Sequence, residues 1–93
     1  MTDIIQVQTT TDQQSEARKI AEHLVDQRLA ACVQIGGPIT SVYRWKGHVE
    51  TSHEWICAVK TLAHLYSIVE QHIRQLHSYE EPEIIATPIT HVS

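Results

Sequence analysis

The spacing of apolar residues changes period repeatedly along the chain, and each change marks an element. Residues 3 to 9, DIIQVQT, form an apolar run of strand length. In TTTDQQ, which follows, Thr11 and Gln14 have capping-box spacing and Asp12 is an alternative cap, so a helix is predicted to start there. Ala17, Ile20, Ala21, Leu24, Val25 and Leu29 then recur at three-and-four spacing as one buried stripe. Glu16, Lys19, Glu22, His23 and Asp26 fall outside it.

The period returns to two in ACVQI, residues 31 to 35, breaks at Gly36, Gly37 and Pro38, and resumes in ITSVYRW. Glycine inside a strand pattern marks a bulge or bend, and proline cannot donate to a ladder. A Lys46-Gly47 turn leads into a third strand from Val49 through Lys60. Thr61 is predicted to cap a second helix that buries Leu62, Leu65, Tyr66, Val69, Ile73 and Leu76. HSYEEP ends it, because a residue before proline disfavours helical geometry, and EIIATPI, residues 83 to 89, supplies the last strand.

The order βαββαβ predicts an α+β, ferredoxin-like domain over residues 1–93: a four-stranded antiparallel sheet with both helices on one face. The central hairpin is long for that body. Residues 31 to 46 fully extended would reach about 50 Å, whereas a chain of this length folds to a diameter of roughly 30 Å. Either the Gly-Gly-Pro segment folds the arm back, or the hairpin overhangs and completes its hydrogen bonding on another subunit. An uncovered ribbon bearing Tyr43, Trp45 and Trp55 invites aggregation, and a closed oligomer removes that hazard.

Composition narrows the partners. The chain is mildly acidic, with 11 Asp and Glu against 7 Lys and Arg, and its bases are scattered, so neither nucleic acid nor an anionic membrane is an expected partner. No apolar run approaches the roughly 18 residues of a membrane span, and MTDIIQVQTT lacks the charged start and apolar core of a secretion signal, so a cytoplasmic location is expected. A turn near Gly47 sets Cys32 opposite the region of Thr61 and not opposite Cys57, which predicts two free thiols. Seven histidines raise the question of metal, yet no CxxC or HExxH pair is present. Ser41, Ser52, Ser67 and Ser78 lack a nucleophile elbow and no glycine-rich phosphate loop exists; neither an enzyme nor an organic cofactor is expected.

Several separated stretches together resemble the CutA divalent-ion tolerance family: TTTD, LAACVQI, ITSVYRWKGHVE, the Val-Lys-Thr closing strand three, and LHSYEEPEIIATPI. The resemblance implies the same ferredoxin-like fold, a homotrimer in which long hairpins pair across subunits, and a part in the tolerance of copper or another divalent cation, weakly bound. It also implies an alternative, since trimers of this kind look like those of the PII signalling proteins: a scaffold taking a small-molecule or protein partner at the intersubunit cleft. Two departures stand out. The sequence ends ITHVS where relatives continue through a Gly-containing turn to Tyr-Leu and Trp, and Gln8 stands where some relatives have Cys.

The family's His-x-Tyr-x-x-Pro-Glu segment falls here on His77, Tyr79, Pro82 and Glu83, with Glu80 inside it. Imidazole and carboxylate suit Cu(II) or Zn(II), and a thiolate widens the choice to Cu(I), so His77 and Glu83, with Cys32 contributed at a cleft between subunits, are the candidate ligands. The structural reading of the same segment has His77 and Tyr79 ending the helix, Pro82 fixing the turn and Glu83 satisfying backbone or cationic groups. Tyr43 and Trp45 point to one face and Trp55 to the other, as interface core or the wall of a small-molecule pocket. Lys60 is expected to pair with Glu80 or Glu83, or to approach an anionic ligand. Cys57 reads as core, and His48, His53, His64 and His72 as surface residues.

Overall fold

The structure, a computed structural model, describes residues 3–93. It runs β1 (Ile4–Thr11), α1 (Gln14–Asp26), β2 (Cys32–Trp45), β3 (His48–Leu62), a 3-10 turn (Ala63–Leu65), α2 (Tyr66–Leu76) and β4 (Ile84–Ile89). The sheet order is β2-β3-β1-β4 with every neighbouring pair antiparallel, the ferredoxin-like arrangement expected from the element order. Alternation along β1 sends Val7, Thr9 and Thr11 into the interior, where Val7 meets Ile20 and Leu24 of α1, Cys57 and Val59 of β3, and Val69 and Ile73 of α2. Gln6, Gln8 and Thr10 face the other way, onto the open side of the sheet.

Neither predicted helix cap forms. Thr11 is the last residue of β1; its hydroxyl accepts from the Gln13 N–H at 3.3 Å and donates to Glu16. Thr61 likewise belongs to β3 and donates to the Leu29 carbonyl at 2.6 Å, tying the strand to the loop that leaves α1. Leu29 lies beyond the helix. Arg28 takes a positive φ of 59° and the N–H groups of Leu29 and Ala30 return to the Leu24 carbonyl, a left-handed ending that swings Leu29 back onto the core. Val25 falls past the edge of the stripe and is exposed.

The hairpin does overhang. β1 accompanies β3 only as far as Thr11 opposite Trp55, while β2 and β3 continue as an isolated ribbon from Ile39 opposite Glu54 to Trp45 opposite His48. The described chain is accordingly 44 Å long and 25 by 21 Å across. One irregularity decides which way the ribbon's side chains point. Gly36 faces Ile56, and the next regular pair is Ile39 with Glu54, so β2 spends three steps where β3 spends two. Strict alternation from Gly36 would send Pro38, Thr40, Val42 and Arg44 to the open face. The bulge instead puts Ile39, Ser41, Tyr43 and Trp45 there, beside Glu54 and Ile56.

Candidate functional site

Where the ribbon leaves the sheet, the open face is hollowed into a groove of about 690 Å³. Gln8 and Thr10 of β1 and Ile56 of β3 line its inner end, Ile39, Ser41, Tyr43 and Trp45 one wall, and Tyr79, Glu80, Glu81 and Glu83 from the loop between α2 and β4 the opposite rim. Glu54 completes the lining; it is buried, and its carboxylate accepts from the Tyr79 hydroxyl at 2.7 Å. Four carboxylates thus line the groove, and no lysine or arginine is among the lining residues. A concave site of one sign concentrates ions of the other.

His77 holds the rim in place from inside the protein. Its ring is buried and stacks at a tilt on Tyr79, with 4.8 Å between centroids. The Nδ1 atom accepts from the Tyr79 N–H at 3.1 Å, which leaves the ring proton on Nε2, and Nε2 donates to the Thr10 carbonyl at 2.7 Å. Both ring nitrogens are engaged in this arrangement, which gives His77 the helix-ending, loop-positioning role in the metal-free chain. Glu16 of α1 lies 3.5 Å from Nδ1. Burial alone would raise the Glu16 carboxyl, but hydrogen bonds from Thr11 and Ser78 outweigh it and leave the group below the usual carboxylate range.

The other sequence candidates divide. Glu83, Glu80, Tyr79, Tyr43 and Trp45 meet at the groove. Pro82 is buried behind the rim. Trp55 does not join them: opposite Thr11, it faces the helix side and packs against the core. Lys60 pairs with neither Glu80 nor Glu83; it donates to Gln34 at 2.7 Å at the other end of the open face. Cys32 sits there too, opposite Lys60 and exposed. Its level on the sheet is four residues from that of Thr10 and Ile56, about 13 Å along the strands, so Cys32 and Glu83 of one chain do not meet. Both thiols are free, as predicted, and burial pushes the Cys57 thiol up to about 11. Among the described residues no group of three or more His, Cys, Asp or Glu is placed to hold a metal ion.

Glu54 escaped the sequence reading although its signal was available. Once the bulge is placed, period-two alternation sets Glu54 on the face of Tyr43, where a lone carboxylate between Ile39 and Ile56 invites a partner. Burial and the contact with Glu54 together raise the Tyr79 phenol well above its ordinary value. A raised acid contributes stability in full below the unfolded pKa of about 10 and loses it as pH climbs toward the folded value. In an alkaline absorbance titration, Tyr79→Phe is therefore expected to leave the phenolate amplitude that develops up to about pH 11 unchanged. A fall in that early amplitude would show that Tyr79 ionises like a free tyrosine.

Comparison with known proteins agrees with the fold and groups the chain. The family described as CutA1 divalent ion tolerance protein matches over residues 5–93. The divalent-cation tolerance protein CutA of Thermus thermophilus is 44% identical over 80 residues, covering 86% of this chain and 78% of that protein. The chloroplastic CutA of Arabidopsis thaliana is 38% identical over 86 residues, covering 92% of this chain and 47% of that protein, so the chain spans about half the length of this plant relative. Solved structures superpose closely: the Thermus thermophilus protein with a TM-score of 0.94 at 40% identity, covering 97% of this chain and 87% of that one. The periplasmic divalent cation tolerance protein of Archaeoglobus fulgidus superposes with a TM-score of 0.93 at 34% identity, covering 97% and 87%. The chain belongs to the CutA1 divalent ion tolerance family.

Proposed function

We propose that the chain serves divalent-cation tolerance by binding copper or another divalent cation, and that it does so as a homotrimer. The observation that carries the first half is the groove itself, with Glu54, Glu80, Glu81 and Glu83 around it and no basic side chain among its lining. Glu83 with one neighbouring carboxylate supplies ligands from one chain, and Cys32 reaches them only from another subunit. The assembly half is supported by the bare ribbon, where Val42, Tyr43, Trp45 and Val49 are exposed on a two-stranded extension that isolated hairpins do not sustain in water. Two free thiols, one of them exposed, fit a reducing compartment and support the cytoplasm as the place of action. The signalling-scaffold alternative gains no support from these relatives, whose names, where they state a role, state divalent-cation tolerance.

Light scattering is expected to give three times the chain mass of 10.6 kDa. Titration of metal-free protein with Cu(II) and Zn(II) against a competing chelator is expected to show a groove site that Glu54→Gln with Glu83→Gln weakens by about tenfold or more. A monomer mass would remove the assembly. Unchanged affinity in the double variant would remove the groove as the cation site.

A further inference from the structure

On the helix layer, across the sheet from the groove, two histidines far apart in sequence face each other. His23 lies in the last turn of α1 and His72 in α2; the His23 Nε2 and His72 Nδ1 atoms are 2.7 Å apart and the ring centroids 5.0 Å apart. Each ring is half-buried, so both are anchored by the helices and both are open to solvent. We propose that this pair is a second metal site, a two-imidazole clasp across α1 and α2 that takes Cu(II) in preference to Zn(II). It rests on the divalent-cation reading for the class of its ligand, and on nothing in the groove.

The short contact is a hydrogen bond with one proton between the two nitrogens, donated by whichever ring carries it there. For both nitrogens to bind an ion, that ring moves its proton to its other nitrogen; both rings stay neutral and no net proton is released. The geometry then chooses among ions. With bonds of about 2.0 Å, adjacent corners of a square-planar ion set the nitrogens about 2.8 Å apart, close to the 2.7 Å present, whereas a tetrahedral ion needs about 3.3 Å. Cu(II) is served by turning each ring roughly 45° outward at nearly the present nitrogen separation, while Zn(II) also needs the nitrogens about 0.6 Å farther apart. Cu(II) further stands above Zn(II) in intrinsic affinity for nitrogen ligands.

Local charge does not decide the matter. The depression beside His23 is lined by Glu22 and Asp26 but also by Arg18 and Lys19, two charges of each sign. Selectivity therefore comes from the imidazoles, with water filling the remaining positions. Without an ion, the same pair is a hydrogen bond that docks α1 on α2, and the experiment separates these two roles.

Cu(II) is titrated into the full chain and into His23→Ala, His72→Ala, and His64→Ala as a control on an exposed histidine outside the pair. The wild type and the His64 variant are expected to bind one more Cu(II) per chain than either pair variant. Electron paramagnetic resonance is expected to show coupling to two imidazole nitrogens at this site, a signal that each pair variant loses because a single imidazole, without the chelate, holds the ion about tenfold or more weakly. His23→Gln and His72→Gln, which keep a polar side chain between the helices, should lose the copper signal in the same way even if an alanine variant unfolds. A two-nitrogen signal and affinity unchanged in the glutamine variants would overturn the proposal, as would Zn(II) binding at this pair as tightly as Cu(II). The two-nitrogen signal should survive in the Glu54→Gln, Glu83→Gln double variant, so loss of the groove site and loss of this one are read separately.

Discussion

Gly37→Ala is expected to lower stability by about 3 kcal/mol or more, seen as a fall of roughly 12 °C or more in Tm, with the hairpin losing its register. The cause is steric on two counts. A Cβ built at Gly37 lies 2.7 Å from Trp55 Cδ1 and 2.9 Å from the Glu54 carbonyl oxygen, both inside contact distance. Trp55 cannot step aside, because its ring packs against the core, and the carbonyl belongs to a sheet strand. The backbone at Gly37 also holds φ at 145°, a region that side chains rarely allow. Gly36→Ala is the matched control: its Cβ would meet nothing within 4 Å, and it should cost under about 1 kcal/mol. The effect should reach the site, because the bulge alone turns Ile39, Ser41, Tyr43 and Trp45 toward Glu54. A chain relieved of its strain by a one-residue slip would present the other set of side chains to the groove. Equal, small losses of Tm in the two alanine variants would show that the bulge tolerates a side chain.

The contrast between Gly36 and Gly37 shows how far the sequence could be read. The element order, the two helical stripes and the interruption at Gly-Gly-Pro were legible because each is a local periodicity or its break. The overhang followed from chain length set against the size of the globule, and the 44 Å extent agrees with it. What was illegible depends on how elements rotate against each other. Thr11 and Thr61 look like caps, yet both are consumed by strands that run past the point where the alternation seemed to end. His23 and His72 are 49 residues apart, and their meeting depends on the azimuth of two helices about their own axes. Lys60 sits one step before a predicted cap but, on the open face, points at Gln34 of the adjacent strand. His77 was legible as a residue of interest, and its chemistry was not: whether an imidazole binds an ion or ties down a loop depends on which lone pairs its neighbours leave free.

His77→Ala is expected to destabilise the metal-free protein by about 2–4 kcal/mol, because it strips two part-buried main-chain groups of their partner and leaves a void where the buried ring stood. The Tyr79 N–H would lose Nδ1 and the Thr10 carbonyl would lose the Nε2 proton, so the loop carrying Glu80, Glu81 and Glu83 would lose its attachment to β1. His77→Gln should recover part of the loss, since an amide can serve one of the two backbone groups. Cation affinity should fall in both variants and recover in step with stability, the mark of a residue that positions the rim without touching the ion. If His77 were itself a ligand, the order would reverse: the metal-free proteins would melt alike, and glutamine would restore little affinity, because an amide is a poor substitute for imidazole toward Cu(II). Unfolding curves taken without metal therefore separate the two roles before any titration is run. Equal Tm values for wild type and His77→Ala would return His77 to the list of ligands.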